Sequence, residues 1–140
     1  MGIPGLTSYL DSLPKLWKTI ELRDTRLVVD GSCVMYYLYF NSELDCRFGG
    51  QYKDFEVVIT SFFSALQAEG VEPFVVLDGA YDASNKKLVT YKTRFKEEIR
   101  RAHELAREGG NNSCLLPLLS RRTFMQVLSK LRIKFAVCDW

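Results

Sequence analysis

The chain has 140 residues, of which 47% are hydrophobic and 26% are charged. This balance is typical of one soluble globular domain with a hydrophobic core, and it excludes a disordered tail. Nineteen Lys and Arg residues against seventeen Asp and Glu give a net charge of +2, so the overall charge indicates no class of partner.

The first half of the chain predicts alternating helices and strands. Residues 6–17 carry apolar side chains at helical spacing and predict one or two short helices. The apolar, β-branched run at 26–30 predicts a strand that is buried on both faces. A buried helix is expected at 32–44 and another at 55–69, with Asp54 as the N-cap of the second.

The second half repeats this alternation. A second buried strand is expected at 71–79, a long helix at 85–108, an amphipathic helix at 120–131 and a third strand at 133–138. Apolar strands separated by helices favour a parallel sheet covered by helices on both faces. The sequence therefore predicts an α/β fold, with residues 1–140 forming one domain.

Two strands end in the same pattern, "VVDG" at Asp30 and "VLDG" at Asp78. Ligands of open parallel sheets bind beyond the carboxyl ends of the strands. If the two strands are neighbours, both carboxylates enter one crevice, and a cation between them would offset their repulsion. Magnesium, which prefers oxygen ligands, suits that geometry. The alternative is that each Asp caps the next helix or begins a turn.

A basic segment follows Asp78. Residues 86–107 hold eight basic and three acidic side chains, a local charge of +5. Lys87, Arg94 and Arg101 are seven apart and fall on one line of the expected helix, where a phosphate backbone could bind. The alternative is a solvated helix face on which glutamates pair with neighbouring arginines. Arg47, in a glycine-containing loop, is a weaker candidate for a phosphate contact.

Other chemistries find little support in the sequence. The four cysteines and the single histidine lack zinc-site spacing, and we expect free thiols, with Cys33 and Cys138 as small buried hydrophobes. No nucleophile motif or phosphate-binding glycine loop occurs, which disfavours nucleophilic side-chain catalysis and a mononucleotide-binding domain. The N-terminus lacks the features of a signal peptide.

Five ordered segments carry a resemblance to a known family. They are "MGIPGLTSYL" at 1–10, "LRDTRLVVDG" at 22–31, "LDCRFGGQY" at 44–52, "PFVVLDGAYDASNKKL" at 73–88 and "FMQVLSKLRIKFAVC" at 124–138. Together they resemble the asteroid proteins, a divergent branch of the flap endonuclease/XPG nuclease superfamily. The resemblance implies the N-terminal part of a three-layer PIN-like domain with a central, mainly parallel sheet.

The same resemblance implies a magnesium-dependent, structure-specific endonuclease that acts on single-stranded or branched DNA in nuclear or nucleocytoplasmic DNA repair, with Mn²⁺ as a possible substitute for Mg²⁺. Asp30 and Asp78 would be metal ligands, and Gly2 would lie near the DNA junction. Lys87 and Arg94 best match the basic pair that contacts the scissile phosphate. Two further lysines compete for that role or contribute to DNA binding, namely Lys86 and Lys92.

One departure from the family pattern concerns the third strand. In the superfamily a glutamate-containing acidic cluster follows that strand, whereas this sequence ends at Asp139 and Trp140. Two or three carboxylates would leave two magnesium ions with mostly water ligands. We therefore expect a partial, catalytically incomplete nuclease domain. The alternative is a degenerate member that acts as a non-catalytic DNA-binding or signalling scaffold.

Overall fold

The computed structural model describes residues 3–13, 15–46, 49–79, 87–108 and 115–138. Its elements are α1 (Leu6–Asp11), β1 (Arg26–Asp30), α2 (Gly31–Phe40), α3 (Tyr52–Ala68), β2 (Glu72–Asp78), α4 (Lys87–Glu108), α5 (Ser120–Lys130) and β3 (Lys134–Cys138). Every predicted strand and helix is therefore present, although α1 and α2 end earlier than expected. The predicted cap of α3 is wrong, because Gln51 is the N-cap and Asp54 lies in the first turn.

The three strands form one parallel sheet in the order β1-β2-β3. In the register of this sheet, Asp30 pairs with Val76, and Asp78 pairs with Cys138. Helices connect successive strands, as parallel pairing requires. The predicted fold class is confirmed: the domain is α/β, with a three-stranded parallel sheet flanked by helices, an arrangement that fits a three-layer fold.

One face of the sheet forms the core. Val29 of β1 and Val75 and Leu77 of β2 are buried on this face. Helices α2, α3 and α5 pack on it and on each other. Their largest fully buried side chains are Tyr39, Phe55, Ile59, Phe63, Phe124 and Leu128. Apolar side chains recur every second residue in the strands and about every 3.6 residues in the helices, and these apolar faces pack together in a single layer.

The other face of the sheet is open in the described part of the chain. Val28 is 73% exposed and Phe74 is 39% exposed, so the prediction that β1 is buried on both faces is wrong. The apolar stripe of α4 is also accessible, with Phe95 half exposed, and α4 has no close backbone contact with another described helix or strand. Within the described ranges, no helix has the length and apolar character that a membrane span requires.

The cysteines differ from the expected buried thiols. Cys33 is free but exposed, because position 33 of α2 points away from the sheet, whereas Cys138 is free and half-buried. Cys46 is disulfide-bonded, which corrects the expectation of free thiols at that position. Because Cys33 lies in the first turn of α2, directly after β1, it is near the carboxyl ends of the strands.

Gly31 allows α2 to begin directly against the sheet. A Cβ atom at this position would lie 2.6 Å from Leu77 Cδ2 and 2.6 Å from Val75 Cγ1. Both methyl groups belong to fully buried side chains, which have little room to move. The close approach of α2 to β2 therefore requires the absence of a side chain here.

We predict that Gly31→Ala lowers the free energy of unfolding by about 1–3 kcal/mol, the usual cost of overpacking a core. The backbone of Gly31 is helical, so alanine would otherwise stabilise the helix. Urea denaturation measures the change. Cys33→Ala, at an exposed position of the same helix, is the control and should change stability by less than about 0.5 kcal/mol. An unchanged midpoint for Gly31→Ala would contradict this packing.

Candidate active site at the carboxyl ends of the strands

Asp30 ends β1 and also caps α2. Its backbone is extended, and its Oδ1 accepts a hydrogen bond of 2.9 Å from the backbone N–H of Cys33. Asp30 therefore caps α2, which is one of the roles that the sequence analysis allowed for it. An ionised carboxylate has about four acceptor positions, so the cap leaves Asp30 able to bind a further ligand. The residue is exposed at the edge of the sheet.

Asp78 ends β2 and is held by two other elements. Ser32 Oγ, in the first turn of α2, donates to Asp78 Oδ2 at 3.4 Å. Arg121, in the first turn of α5, donates from its guanidinium group to the backbone carbonyl of Asp78. The side chain of Asp78 is exposed, like that of Asp30. The end of β2 is thus tied both to α2 and to α5.

The register brings the two carboxylates to the same edge and the same face of the sheet. Asp30 pairs with Val76, and Asp78 lies two residues further along β2. Paired residues of a sheet point to one face, and so do residues two apart in a strand. The alternating burial of both strands agrees, because Asp30 and Asp78 lie on the exposed face.

The Cys33 thiol lies close to both carboxylates. Hydrogen bonding to Asp30 is the largest cause that raises the pKa of Cys33, followed by burial and by the negative charges of Asp30 and Asp78. One thiol therefore experiences both charges at once. The structure brings together the two aspartates that the sequence singled out.

The basic residues of α4 divide into two groups. In the second half of the helix, Glu97 pairs with Arg100 and, at 3.6 Å, with Arg101. Glu104 also pairs with Arg100. These pairs between glutamates and neighbouring arginines are the ones that the alternative interpretation expected. Such exposed pairs contribute little to stability.

The first half of α4 holds the basic residues expected at a phosphate. Lys87 is the first residue of the helix, and Lys92 and Arg94 are exposed. Within the described ranges, neither Lys92 nor Arg94 forms an ion pair. Three other predicted DNA-binding residues lie outside the described residues, namely Gly2, Arg47 and Lys86.

Tyr36 of α2 lies within electrostatic range of α4. This side chain lies on α2, one turn beyond Ser32, and it is 43% exposed. Burial is the largest cause that raises the pKa of Tyr36; Glu98 raises it further, while Arg101 and Arg94 lower it. The middle of α4 is therefore close enough to α2 for its charges to act on the tyrosine hydroxyl.

Ser32 and Arg121 are the site residues that the sequence analysis missed. Ser32 could have been found from its place two residues after Asp30, where the first turn of the next helix faces the neighbouring strand. Arg121 had no such signal, because it is 43 residues from Asp78 in the chain and reaches it only through the packing of α5. Local patterns cannot reveal such contacts.

The two carboxylates suit a single hard cation. Among the described residues, no group of three or more His, Cys, Asp or Glu side chains is arranged to hold a metal ion. Magnesium, however, commonly binds through one or two carboxylates while keeping several waters and adding substrate phosphates. Two exposed aspartates on one edge match that mode of binding.

An α/β domain with carboxylates beyond neighbouring parallel strands belongs to the broad class whose ligands bind at the strand ends. No family model matches the chain. It is 45% identical over 139 residues to the human protein named "Single-strand DNA endonuclease ASTE1", a match that covers 99% of this chain and 20% of that protein. The zebrafish protein of the same name is 41% identical over 134 residues, covering 95% of this chain and 19% of the relative.

"Protein asteroid" of Drosophila melanogaster is 38% identical over 103 residues, covering 71% of this chain and 12% of that protein. These identities show that the chain is a homologue of the ASTE1/asteroid proteins, as the resemblance implied. The chain spans about a fifth of the length of the relatives it matches.

We predict that Asp30→Asn and Asp78→Asn each accelerate alkylation of Cys33. Both carboxylates raise the pKa of this thiol, so removing either charge lowers the pKa. At a fixed pH below the pKa, the thiolate fraction rises about tenfold for each unit by which the pKa falls. Asp30→Asn should have the larger effect, because it also weakens the hydrogen bond to the thiol.

Iodoacetamide labelling followed by peptide mass spectrometry resolves Cys33 from Cys138. Glu72→Gln, at the opposite end of β2, is the control and should leave the rate unchanged. If Asp78→Asn also left the rate unchanged, the two carboxylates would not share this edge.

Proposed function

We propose that this chain is part of a metal-dependent endonuclease that hydrolyses phosphodiester bonds in single-stranded or branched DNA. The observation that carries the proposal is the placement of Asp30 and Asp78 on one edge and one face of adjacent parallel strands. Homology to proteins named "Single-strand DNA endonuclease ASTE1" supports DNA as the substrate.

Asp30 and Asp78 would hold Mg²⁺, with Mn²⁺ as a possible substitute. When bound, the cation would activate water and stabilise the leaving oxygen. The chain's own contribution is orientation. The cap on α2 fixes Asp30, while Ser32 and Arg121 restrain Asp78 and the strand end that carries it.

The basic helix α4 would bind the DNA backbone. Lys87 and Arg94 are proposed to contact the scissile phosphate, and Lys92 and Arg101 to contact neighbouring phosphates. The charge of Arg94 lowers the pKa of Tyr36 on α2, the helix that Asp30 caps, and this supports the assignment. Gly2, Arg47 and Lys86, which lie outside the described residues, complete the proposed DNA-binding set.

Other parts of the longer protein would supply the remaining ligands. The chain spans about a fifth of its relatives, and two carboxylates cannot hold the pair of ions common in phosphodiester hydrolysis. We therefore propose that full activity requires further acidic residues from elsewhere in the protein. A PIN-like domain and a nuclear role in DNA repair are part of the same proposal, as the family resemblance implies.

A non-catalytic scaffold is the second candidate. It is favoured by the structural roles of both aspartates, because Asp30 caps α2 and Asp78 accepts from Ser32. Such a protein would bind DNA in a salt-dependent manner without cleaving it. Loss of either carboxylate charge would then leave its function intact.

We predict that Asp30→Asn and Asp78→Asn in the full-length protein each reduce magnesium-dependent cleavage of single-stranded DNA by at least about 100-fold, since even residues supporting metal ligands cost about 10–100-fold. Asparagine is as good an N-cap as aspartate, so Asp30→Asn preserves α2 and isolates the loss of charge. A labelled strand and gel electrophoresis measure the rate.

Glu72→Gln is the matched control, because it removes one carboxylate from the amino end of β2. It should cleave at the wild-type rate. If both aspartate variants cleaved DNA at the wild-type rate, the assignment of Asp30 and Asp78 to the catalytic centre would be wrong. If the wild-type protein bound DNA without cleaving it, and if Asp30→Asn bound DNA with the same affinity, the non-catalytic scaffold would be favoured.

A further inference from the structure

A shallow groove runs along α5 beside β3. It has a volume of about 430 Å³ and is lined by Arg121, Arg122, Met125, Gln126 and Phe135, among others. This volume lies within the range of about 300–1,000 Å³ that ligand sites usually occupy. Its lining combines two guanidinium groups with apolar and amide side chains.

The groove is continuous with the carboxyl edge of the sheet. Arg121 lines it and also donates to the backbone carbonyl of Asp78. The groove therefore reaches the carboxyl end of β2, the strand end that carries the proposed cleavage centre. Apart from Arg121, the residues that line this surface have no part in the mechanism proposed above.

The stability of α5 does not account for these two arginines. Both lie in the first turn of the helix, where positive charge is unfavourable to the helix dipole, and no acidic residue accompanies them there. Across the described parts of the chain, neither forms an ion pair with a carboxylate. Lys130, at the other end of α5, pairs with Glu56. The groove thus holds positive charge without a matching negative charge of its own in the described structure.

We propose that the α5 groove binds the sugar–phosphate backbone of single-stranded DNA where the strand continues past the Asp30–Asp78 centre. Arg122 would bind a phosphate, and Met125 and Phe135 would contact the adjacent sugar or base. This combination of cations and apolar surface is typical of single-strand binding. The inference rests on the proposed nuclease function and adds a second DNA contact beyond α4.

The test uses Arg122→Gln in the full-length protein. Arg122 is exposed and has no hydrogen-bond partner among the described residues, so the variant should fold normally. Fluorescence anisotropy of a labelled thymidine strand of about 16 nucleotides, in EDTA to prevent cleavage, gives the affinity at several salt concentrations. Arg122→Gln should bind more weakly, with a salt slope smaller by about 0.7, the loss of one phosphate contact.

Two variants complete the design. Arg132→Gln removes the same charge just beyond the other end of α5 and should bind like the wild type. Arg94→Gln tests the α4 contact of the proposed function. If Arg122→Gln bound DNA normally, or if Arg122→Gln and Arg132→Gln lost equal affinity, the proposal that the groove binds DNA would be wrong. If only Arg94→Gln bound more weakly, the groove proposal would be wrong, whereas the proposed α4 contact would be supported. If the wild-type protein bound no strand at all, both proposed DNA contacts would be wrong.

Discussion

The parallel pairing of β1 with β2 is the constraint on which the site depends. Because Asp30 pairs with Val76, the two strand-ending carboxylates project from the same face of the sheet. A shift of one residue in this register would turn the side chains of one strand to the opposite face. Burial of Val29, Val75 and Leu77 opposes such a shift, so the core fixes the geometry of the site.

The same polar groups serve the fold and the proposed chemistry. Asp30 satisfies a backbone N–H at the start of α2, which makes its position as rigid as the helix itself. Asp78 is restrained from two sides, by Ser32 on α2 and by Arg121 on α5. Rigid elements hold catalytic groups more accurately than loops do, and all of these contacts come from helices and strands.

Local sequence patterns predicted the elements and the shared edge, because apolar periodicity and the two strand-ending Asp-Gly pairs are properties of short segments. They did not predict Arg121, whose contact with Asp78 requires the packing of α5. The prediction for β1 was also wrong. An apolar strand suggests burial on both faces, yet Val28 lies on a face of the sheet that no described helix covers. The ion pairs of Glu97 with Arg100 and Arg101 match the alternative that the sequence offered, whereas Arg94 forms no ion pair within the described ranges.

Cation binding by Asp30 and Asp78 distinguishes a metal site from two carboxylates with structural roles alone. A crystal structure of the full-length protein with Mn²⁺ would locate the metal by its anomalous scattering, independently of any activity. We expect a peak at the carboxyl edge of the sheet, about 2.1 Å from an oxygen of Asp30 and from an oxygen of Asp78. A metal bound elsewhere, or the two carboxylates pointing to opposite faces of the sheet, would contradict it.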